Sequence, residues 1–327
     1  MQFPIDPFQH TVKKPINCCG VGLHSGRTVN LTIIPASANS GIRFRRTDLP
    51  QNPTVKAHMD KVVDTRLATT IGEGGAIIAT TEHLLAAMNS FGIDNALIEL
   101  DSAEVPIMDG SADPFMHLLR SAGKQRLLQC RKMLKITKEI QYSEDDKHIT
   151  VCPYNGFKVT GEIAFDDTLI RNQSYSIDLS TERFIKEISR ARTFGYVEQV
   201  EELWANGLAL GGTLENVIAI HWNRKSVLNE DGLRYKNEFI RHKVLDIIGD
   251  MTLLGCPMLG HVTAYKSGHT QHLAFMHAIA DSPDCWELVE MKKNGPHAVF
   301  EQVFADSREA AEGFLMPLLK KTPATTP

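Results

Sequence analysis

The sequence predicts an α+β protein built from two similar units, each a β-sheet carrying two helices. A chain of 327 residues is long enough for about two domains with hydrophobic cores of their own. Residues 1–122 read as strands, a helix, a further strand and a second helix, and the second half repeats that order of elements. Strands and helices do not alternate strictly, so a parallel sheet is not expected.

The first unit opens with a glycine-rich loop at residues 20–26. A loop that binds a dinucleotide or phosphate opens into a helix, because the helix N-terminus holds the phosphate. Here the loop is followed by the alternating, β-branched stretch 27–35, which reads as a strand with a proline stop. The loop is therefore predicted to join two strands of a hairpin, and a further strand is predicted at 42–46. Short strands between residues 64 and 78 predict a small β insert.

A capped helix is predicted next, with threonines at its N-cap and Gly92 just beyond its end. Glu82 and His83 open this helix. Adjacent helix residues point about 100° apart, so the pair can approach one metal ion only from different sides and suits a base beside a ligand. The structural alternative is that Glu82 complements the helix dipole and His83 lies at the edge of the core.

A strand at 96–100 and a helix over 113–122 complete the first unit, and the polar stretch 121–126 is the predicted linker to the second. In the second half, strands are predicted at 134–140, 148–151, 158–164, 173–177 and 217–221, with a helix at 197–206. No residue-level repeat accompanies the repeated order of elements. The two halves are therefore interpreted as an architectural duplication.

The long helix predicted at 238–251 carries polar residues with the spacing of metal ligands. Its apolar residues recur at intervals of three and four, which indicates one buried helical face. His242, Asp246 and Asp250 follow one another at intervals of four, where side chains lie roughly 5–6 Å apart at Cβ. Zinc binds imidazole nitrogen and carboxylate oxygen, and a catalytic site uses three protein ligands with one open position. This helix offers two ligands; a solvated helix face is the alternative interpretation.

Composition and charge narrow the class of protein. Apolar residues make up 43% and charged residues 23% of the chain, as in ordinary globular proteins. A net charge of −4 provides no basic field, so nucleic acid is not expected as a partner. The sequence contains no apolar run of transmembrane length, and its start lacks the pattern of a secretory signal. Six cysteines without a CxxC pair indicate reduced thiols and predict a cytoplasmic protein.

Seven segments, in family order and spread over nearly the whole chain, resemble the UDP-3-O-acyl-N-acetylglucosamine deacetylases, the zinc amidases of the lipid A pathway. They are GVGLHSG at 20–26, TEHL at 81–84, VPIMDGS at 105–111, ISRARTFG at 188–195, RHKVLD at 241–246, GD at 249–250 and KSGH at 266–269. The resemblance implies hydrolysis of the N-acetyl amide of UDP-3-O-(3-hydroxyacyl)-N-acetylglucosamine, with release of acetate. That reaction is the committed step of lipid A biosynthesis.

The resemblance also implies a role for each matched polar residue. His83, His242 and Asp246 would be the ligands of one zinc ion (Zn2+) per chain, completing a three-ligand open site. Zinc would lower the pKa of its water and polarise the amide carbonyl. Glu82 would take the proton of that water as general base, and a protonated His269 would stabilise the oxyanion and help protonate the leaving amine.

Further residues are implied to support the acid and to bind the substrate. Asp250 would pair with the acid and raise its pKa. Thr193 would donate a hydrogen bond to the oxyanion, Phe194 would pack against the glucosamine ring, and Lys243 would hold sugar or phosphate oxygens. An apolar passage for the 3-O-acyl chain would be lined by Val197, Val200, Ala209, Thr213 and Ala219. The alternative for these last five residues is that they are ordinary core positions.

The implied fold has the helices of both units sandwiched between the two sheets, with the site at their interface and one small insert in each unit. The expected domains are residues 1–123, with a β insert near 64–78, and residues 131–300, with a second insert near 194–219. Residues 301–327 are expected to be a C-terminal extension that ends in a disordered tail. The protein is expected to be a monomer.

Several alternatives are open at this point. A non-catalytic binding protein on the same scaffold would lack a ligand or the base, whereas all of these residues are present. A zinc amidase acting on another acylated amino sugar would share the motifs, because the ligands fix the chemistry and the passage fixes the substrate. Iron(II) or cobalt would fit the same donors. Arg66 stands where the family often has a hydrophobic residue, which leaves acyl contacts at the first insert open.

Overall fold

The computed structural model describes residues 6–294 and 297–302 together with residue 315. Within these residues the chain forms several β-sheets and six α-helices, as the predicted α+β class requires. Most of the buried apolar residues of both halves belong to one continuous core. No helix among the described residues is both long and apolar enough to cross a membrane.

The strands are Phe8–Val12 (β1), Ile16–Val21 (β2), Thr28–Pro35 (β3), Ile42–Arg46 (β4), Thr54–Lys56 (β5), Val62–Asp64 (β6), Thr70–Glu73 (β7), Ala76–Ile78 (β8), Ala96–Leu100 (β9), Lys124–Cys130 (β10), Lys132–Ile136 (β11), Ile140–Glu144 (β12), Lys147–Cys152 (β13), Phe157–Ala164 (β14), Asn172–Asp178 (β15), Phe194–Tyr196 (β16), Ile218–Ile220 (β17), Met258–Tyr265 (β18), Trp286–Asn294 (β19) and His297–Gln302 (β20). The helices are Glu82–Phe91 (α1), Asp113–Ala122 (α2), Thr181–Glu187 (α3), Val200–Ala205 (α4), Glu238–Met251 (α5) and His269–Ala280 (α6).

The first sheet contains five strands in the order β2-β3-β9-β4-β5. Strands β4 and β9 run parallel, and the other neighbours run antiparallel. The glycine-rich loop joins β2 to β3 as a hairpin, in which the N–H of Gly22 donates to the carbonyl of Arg27 at 2.9 Å. The prediction of a hairpin at this loop is therefore confirmed.

The second sheet repeats this arrangement. Strands β12-β13-β18-β14-β15 lie side by side, with β14 parallel to β18 and the other neighbours antiparallel. Three more strands extend the sheet: β11 pairs parallel with the start of β18, β19 pairs with β11, and β20 pairs with β19. Five strands thus have the same order and the same directions in both sheets, which confirms the predicted architectural duplication.

Four helices are sandwiched between the two sheets. In each half, one helix precedes the central strand and one follows it: α1 and α2 around β9, α5 and α6 around β18. Helix α2 packs on β2, α5 packs on β14 and β15, α6 packs on β12 and β13, and α1 packs against α5. A Cβ at Gly249 of α5 would lie 2.1 Å from the carbonyl oxygen of Glu82. Only a glycine lets the two helices cross this closely, and the crossing brings the start of α1 onto the polar strip of α5.

Each half carries one insert between the edge strand of its sheet, β5 or β15, and the helix that precedes its central strand, α1 or α5. In the first half β6, β7 and β8 form a three-stranded antiparallel sheet, where the sequence predicts a β insert. In the second half β16 and β17 run parallel on either side of α4. The predicted position of the second insert, near 194–219, covers these elements.

Local structure differs from the predictions in a few places. The stretch predicted as a polar linker enters strand β10, which pairs antiparallel with β1. Thr81 lies at the N-cap of α1 as predicted, but its side chain does not cap the helix, because its hydroxyl donates to the carbonyl of Thr69 at 3.1 Å. Gly92 ends the helix in the left-handed region (φ 79°), also as predicted. The single strand predicted at 134–140 is two strands, β11 and β12. Apart from residues 301–302 and 315, the predicted C-terminal extension and its tail lie outside the described residues.

Candidate active site

The crossing of α1 and α5 brings three predicted metal ligands together. We call His83, His242 and Asp246 the ligand triad. The Nε2 atoms of His83 and His242 lie 3.8 Å and 3.5 Å from Oδ1 of Asp246. The two rings meet edge to face with centroids 4.9 Å apart, and all three side chains are buried. One donor atom from each residue lies within 4.8 Å of the others, so the triad can hold a metal ion.

The hydrogen bonding of the ligand triad fits a divalent cation. Oδ1 of Asp246 is buried and has no hydrogen-bond donor among the described residues, while Lys243 donates to Oδ2 at 2.8 Å. Nδ1 of His242 lies 3.0 Å from the carbonyl oxygen of Ala191, which only accepts, so Nδ1 carries the proton and Nε2 keeps its lone pair. A buried carboxylate oxygen without a donor is costly, and a bound cation removes that cost.

The charge states of the ligand triad also suit a metal. Burial, with a smaller effect from His242, lowers the pKa of His83 to about 3. Burial also lowers the pKa of His242. Burial opposes ionisation of Asp246, but the neighbouring His242 and Lys243 outweigh it and hold the pKa of that carboxyl well below its usual range. Two neutral imidazoles and one carboxylate are the protonation states that metal binding requires.

A second group of the same composition lies one turn further along α5. We call Asp250, His269 and His272 the hydrogen-bonded triad. Oδ2 of Asp250 accepts from Nδ1 of His269 at 2.7 Å and from Nδ1 of His272 at 2.6 Å. Its Oδ1 accepts from the hydroxyl of Thr69, from the first insert, at 2.7 Å. Both oxygens of this aspartate are therefore satisfied without an ion.

Glu82 lies between the two triads. Its Oε1 is 3.8 Å from Nε2 of His269, and its Oε2 accepts from the backbone N–H of Thr69 at 3.1 Å. Burial raises the pKa of Glu82 to about 7; His269 opposes this and Asp250 adds to it. Burial disfavours a charged His269, yet the neighbouring Asp250 and Glu82 outweigh burial and raise its pKa to about 9. Between these two pKa values Glu82 is ionised and His269 is protonated, which is the arrangement of a base beside an acid.

The loop that holds Thr193 is fixed by a buried ion pair. Nε of Arg192 lies 2.9 Å from Oε1 of Glu238, and the same oxygen accepts from the backbone N–H of Arg192 at 3.0 Å. The half-buried Thr193 donates its backbone N–H to the carbonyl of Gly110 at 2.8 Å. The next residue, Phe194, meets the His242 ring edge to face with centroids 6.3 Å apart.

A cleft of about 220 Å³ opens beside the ligand triad. It is lined by Ile163, Ala164, Phe165, Lys243, Lys266 and Ser267. Lys243 bonds to Asp246 of the ligand triad, so the cleft and the metal ligands meet at this lysine. Apolar walls with two ammonium groups can accept a sugar ring carrying an anionic group.

The five residues expected to line the acyl passage lie in the second insert and outside the buried core. Val197, Val200, Ala209 and Ala219 are half-buried, and Thr213 is exposed. The alternative that they are ordinary core positions is therefore wrong. The segment around Ala209 is held to the glycine-rich hairpin by backbone hydrogen bonds, from Leu210 to His24 at 3.2 Å and from Gly211 to Leu23 at 2.9 Å.

Arg66, in the first insert, points to solvent. Its side chain is 86% exposed and lies 2.8 Å from the carboxylate of Asp64. The hydrogen bonds from this arginine hold the pKa of Asp64 low, at about 2. The first insert thus presents a charged pair at its tip, next to the exposed apolar Leu67.

Two residues of the site escape sequence reasoning. Thr69 donates hydrogen bonds to Glu82 and to Asp250 of the hydrogen-bonded triad. Nothing in its local sequence distinguishes it from other threonines of the insert. His272 lies three residues after His269 on α6, a spacing that places both on one helix face and could have identified it. Both residues gain their position from contacts between elements far apart in the chain.

A buried His2Asp group at a helix crossing, with a paired base and acid beside it, is the arrangement of a metal-dependent hydrolase. The comparisons with known proteins agree. The model of the UDP-3-O-acyl N-acetylglycosamine deacetylase (LpxC) family matches residues 9–281. The chain is 45% identical to the UDP-3-O-acyl-N-acetylglucosamine deacetylase of Syntrophus aciditrophicus over 279 residues, covering 85% of this chain and 88% of that protein.

Two further relatives extend the match to nearly full length. The UDP-3-O-acyl-N-acetylglucosamine deacetylases of Hahella chejuensis and Alcanivorax borkumensis are each 44% identical over 313 residues, which is 95% of this chain. The matched part covers 99% and 98% of those proteins. The chain therefore belongs to the UDP-3-O-acyl-N-acetylglucosamine deacetylase family.

Proposed function

We propose that the chain hydrolyses the N-acetyl amide of UDP-3-O-(3-hydroxyacyl)-N-acetylglucosamine and releases acetate, the committed step of lipid A biosynthesis. The relatives named above carry the name of that deacetylase. The observation that supports the chemistry is the position of Glu82 and His269: their Oε1 and Nε2 atoms are 3.8 Å apart, and Glu82 directly precedes His83 of the ligand triad on α1. Amide hydrolysis needs a base for water and an acid for the leaving amine, and this pair supplies both.

The proposed metal is zinc, one ion per chain, held by His83, His242 and Asp246. Two imidazoles and a carboxylate are a common donor set for catalytic zinc, and iron(II) fits the same donors. Bound there, zinc lowers the pKa of a water molecule and polarises the amide carbonyl. The unpaired oxygen of Asp246 and the free Nε2 of His242 support this assignment.

The chain's own residues move the protons. Glu82 takes one proton from the attacking water, and the oxygen of that water forms the new bond to the acetyl carbon. Thr193 donates its hydroxyl to the oxyanion that develops on the former carbonyl oxygen. His269 then gives the proton on Nε2 to the amine nitrogen as the carbon–nitrogen bond breaks. Asp250 holds the other nitrogen of that ring and keeps it protonated at neutral pH.

The cleft and the second insert are proposed to bind the substrate. Phe194 packs against the glucosamine ring, and Lys243 holds sugar or phosphate oxygens at the edge of the cleft. The acyl passage is proposed to be lined by small or apolar side chains of the second insert that lie outside the buried core: Val197, Val200, Ala209, Thr213 and Ala219. All of them except the exposed Thr213 are half-buried, which supports the passage.

We extend the proposal to domain organisation and location. Residues 1–123 and 131–300 are proposed as the two domains, since each contains one of the two equivalent five-stranded sheets, and 301–327 as a C-terminal extension. All six cysteines are free thiols, which supports a reducing compartment and hence the cytoplasm. A monomer is proposed, because the catalytic residues all come from one chain.

The test is acetate release from UDP-3-O-(3-hydroxyacyl)-N-acetylglucosamine before chelation, after chelation and after zinc is added back. Activity lost on chelation and restored by about one zinc per chain supports the proposal. Release that survives complete removal of metal contradicts the metal assignment. Substrate without the 3-O-acyl group is the matched control: equal turnover of both substrates contradicts the acyl passage, and no turnover of either favours another acylated amino sugar.

A further inference from the structure

Two histidines of α6 share one carboxylate oxygen. His269 and His272 are three residues apart at the start of the helix, so both side chains leave it on one face. Their Nδ1 atoms lie 2.7 Å and 2.6 Å from the same Oδ2 of Asp250. The rings are nearly perpendicular, with centroids 5.9 Å apart, and the side chains of His272 and Asp250 are each only 1% exposed.

The hydrogen-bond directions around His272 follow from its partners. A carboxylate oxygen only accepts, so Nδ1 of His272 carries a proton and donates it to Asp250. The second ring nitrogen, Nε2, lies 3.0 Å from the hydroxyl of Ser267. Burial lowers the pKa of His272 more than Asp250 raises it, so the ring is neutral and Nε2 accepts the hydroxyl proton. Both nitrogens of His272 are therefore occupied.

We infer that His272 is a positioning residue for the reaction: it holds the Asp250 carboxylate in the orientation that presents His269 to the substrate. The inference rests on the proposed deacetylation. With Thr69 donating to Oδ1 at 2.7 Å and two imidazoles donating to Oδ2, the carboxylate is fixed at both oxygens. Because Ser267 occupies its other nitrogen, His272 has no free ring nitrogen for the substrate and acts through its partners, of which Asp250 holds the acid and Ser267 lines the cleft.

A second consequence concerns the acid strength of His269. Each neutral donor to Oδ2 spreads the negative charge of Asp250, so losing one donor leaves more of that charge for the remaining imidazole. The charged groups that face the two histidines from α5 and α1 are Asp250, Asp246, Lys243 and Glu82. A substitution at His272 leaves all of them in place. Loss of the His272 donor therefore raises the pKa of His269 and moves the basic limb of the pH–rate profile upward.

Three substitutions separate this role from simple packing. His272→Asn keeps an N–H donor near the position of Nδ1, so Asp250 remains held. His272→Gln places its amide near the position of Nε2 and keeps only the contact with Ser267. His272→Leu, close in size to asparagine, keeps neither contact. Each full-length variant is assayed for acetate release across the pH range that covers both limbs, for bound zinc and for Tm.

We expect the asparagine variant to keep kcat within about threefold, and the glutamine and leucine variants to lose roughly 10-fold. KM and zinc content stay unchanged, and the basic limb of the last two variants moves to higher pH. Equal impairment of the asparagine and leucine variants overturns the inference, as does full activity in all three. If the leucine variant does not fold, the asparagine and glutamine pair decides. If the unsubstituted chain releases no acetate, the proposed function and the inference are both overturned. This control needs no variant, so it is distinct from a failure of the inference alone.

Discussion

The ligand triad and the hydrogen-bonded triad have the same composition and nearly the same burial, and they share α5, yet their bonding differs. In the ligand triad the two imidazole Nε2 atoms stay 3.5 Å and 3.8 Å from Asp246, and one oxygen of that aspartate has no donor among the described residues. In the hydrogen-bonded triad the two imidazoles donate to Asp250 at 2.6–2.7 Å, and a threonine satisfies its other oxygen.

The difference shows that residue type and spacing alone do not identify a metal site. Either group has the donors for an ion, since each places two histidines and an aspartate within ligand distance. A metal ligand must offer a lone pair that no proton occupies. In the ligand triad the proton of His242 is on Nδ1, which is bonded to Ala191, so Nε2 is free. In the hydrogen-bonded triad the Nδ1 protons of both histidines point at the shared Oδ2 of Asp250, so that oxygen is already occupied.

The largest effects are expected from replacing the two aspartates, and the two replacements differ in whether the metal stays bound. Asp246→Ala removes the only carboxylate of the ligand triad, so we expect loss of the bound metal and a fall in acetate release of more than about 10³-fold. Asp250→Ala removes the partner of the acid, so we expect the metal to stay bound and the rate to fall by roughly 10²-fold. Metal analysis after dialysis and acetate release measure the two effects.

The pair of aspartate variants also contains its own control. Both side chains are buried on the same face of α5, so a general loss of stability lowers Tm in both. Only the metal content separates them. A metal-free Asp250→Ala chain, or an Asp246→Ala chain that keeps one ion, contradicts the assignment of the two triads.

A comparable effect is expected from Glu82 and its neighbour His269, and it is read in the pH dependence. Activity needs Glu82 ionised and His269 protonated, so the rate falls below the pKa of Glu82, about 7, and above that of His269, about 9. A cation in the ligand triad favours the carboxylate and moves the acidic limb below that value. Glu82→Gln and His269→Gln each lower kcat/KM by about 10²–10⁴-fold.

Each of these variants removes one limb of the profile. The glutamine at position 82 cannot lose a proton, so the acidic limb disappears, and the glutamine at position 269 removes the basic limb. Profiles of kcat/KM for the two variants and the unsubstituted chain check this. A basic limb that persists in His269→Gln shows that another group is the acid.

Much of the fold could be predicted from local pattern, because periodicity reports directly which face of an element is buried. The polar strip of α5 and the β insert are examples. Strand β10 could not be predicted in this way, since its sequence is polar and it forms only because β1 lies alongside it. The roles of Glu82 and His269 came from a resemblance, and their 3.8 Å approach depends on a helix crossing that only Gly249 allows.

The parts of the site that sequence reasoning missed are contacts between distant elements. Thr69 comes from the first insert and His272 from α6, and they meet at Asp250 of α5. Hydrogen bonds of this kind leave no periodic signal, because a single side chain makes each of them. The three-residue spacing of His269 and His272 is the only trace in the sequence.

The smallest expected effect comes from one hydrogen bond of the hydrogen-bonded triad, the bond from Thr69 to Asp250. Thr69→Val removes the hydroxyl that donates to Asp250 at 2.7 Å but keeps the backbone N–H that donates to Glu82 at 3.1 Å. A hydrogen bond to a charged group contributes about 1.5–3 kcal/mol, and the two imidazoles still hold Asp250, so we expect the lower end, a fall in kcat of about 13-fold with the metal still bound. Thr69→Ser restores the hydroxyl and should restore most of the rate. Equal rates for valine and serine would mean that the imidazoles alone hold Asp250, and a loss of metal in Thr69→Val would mean that the two triads are coupled.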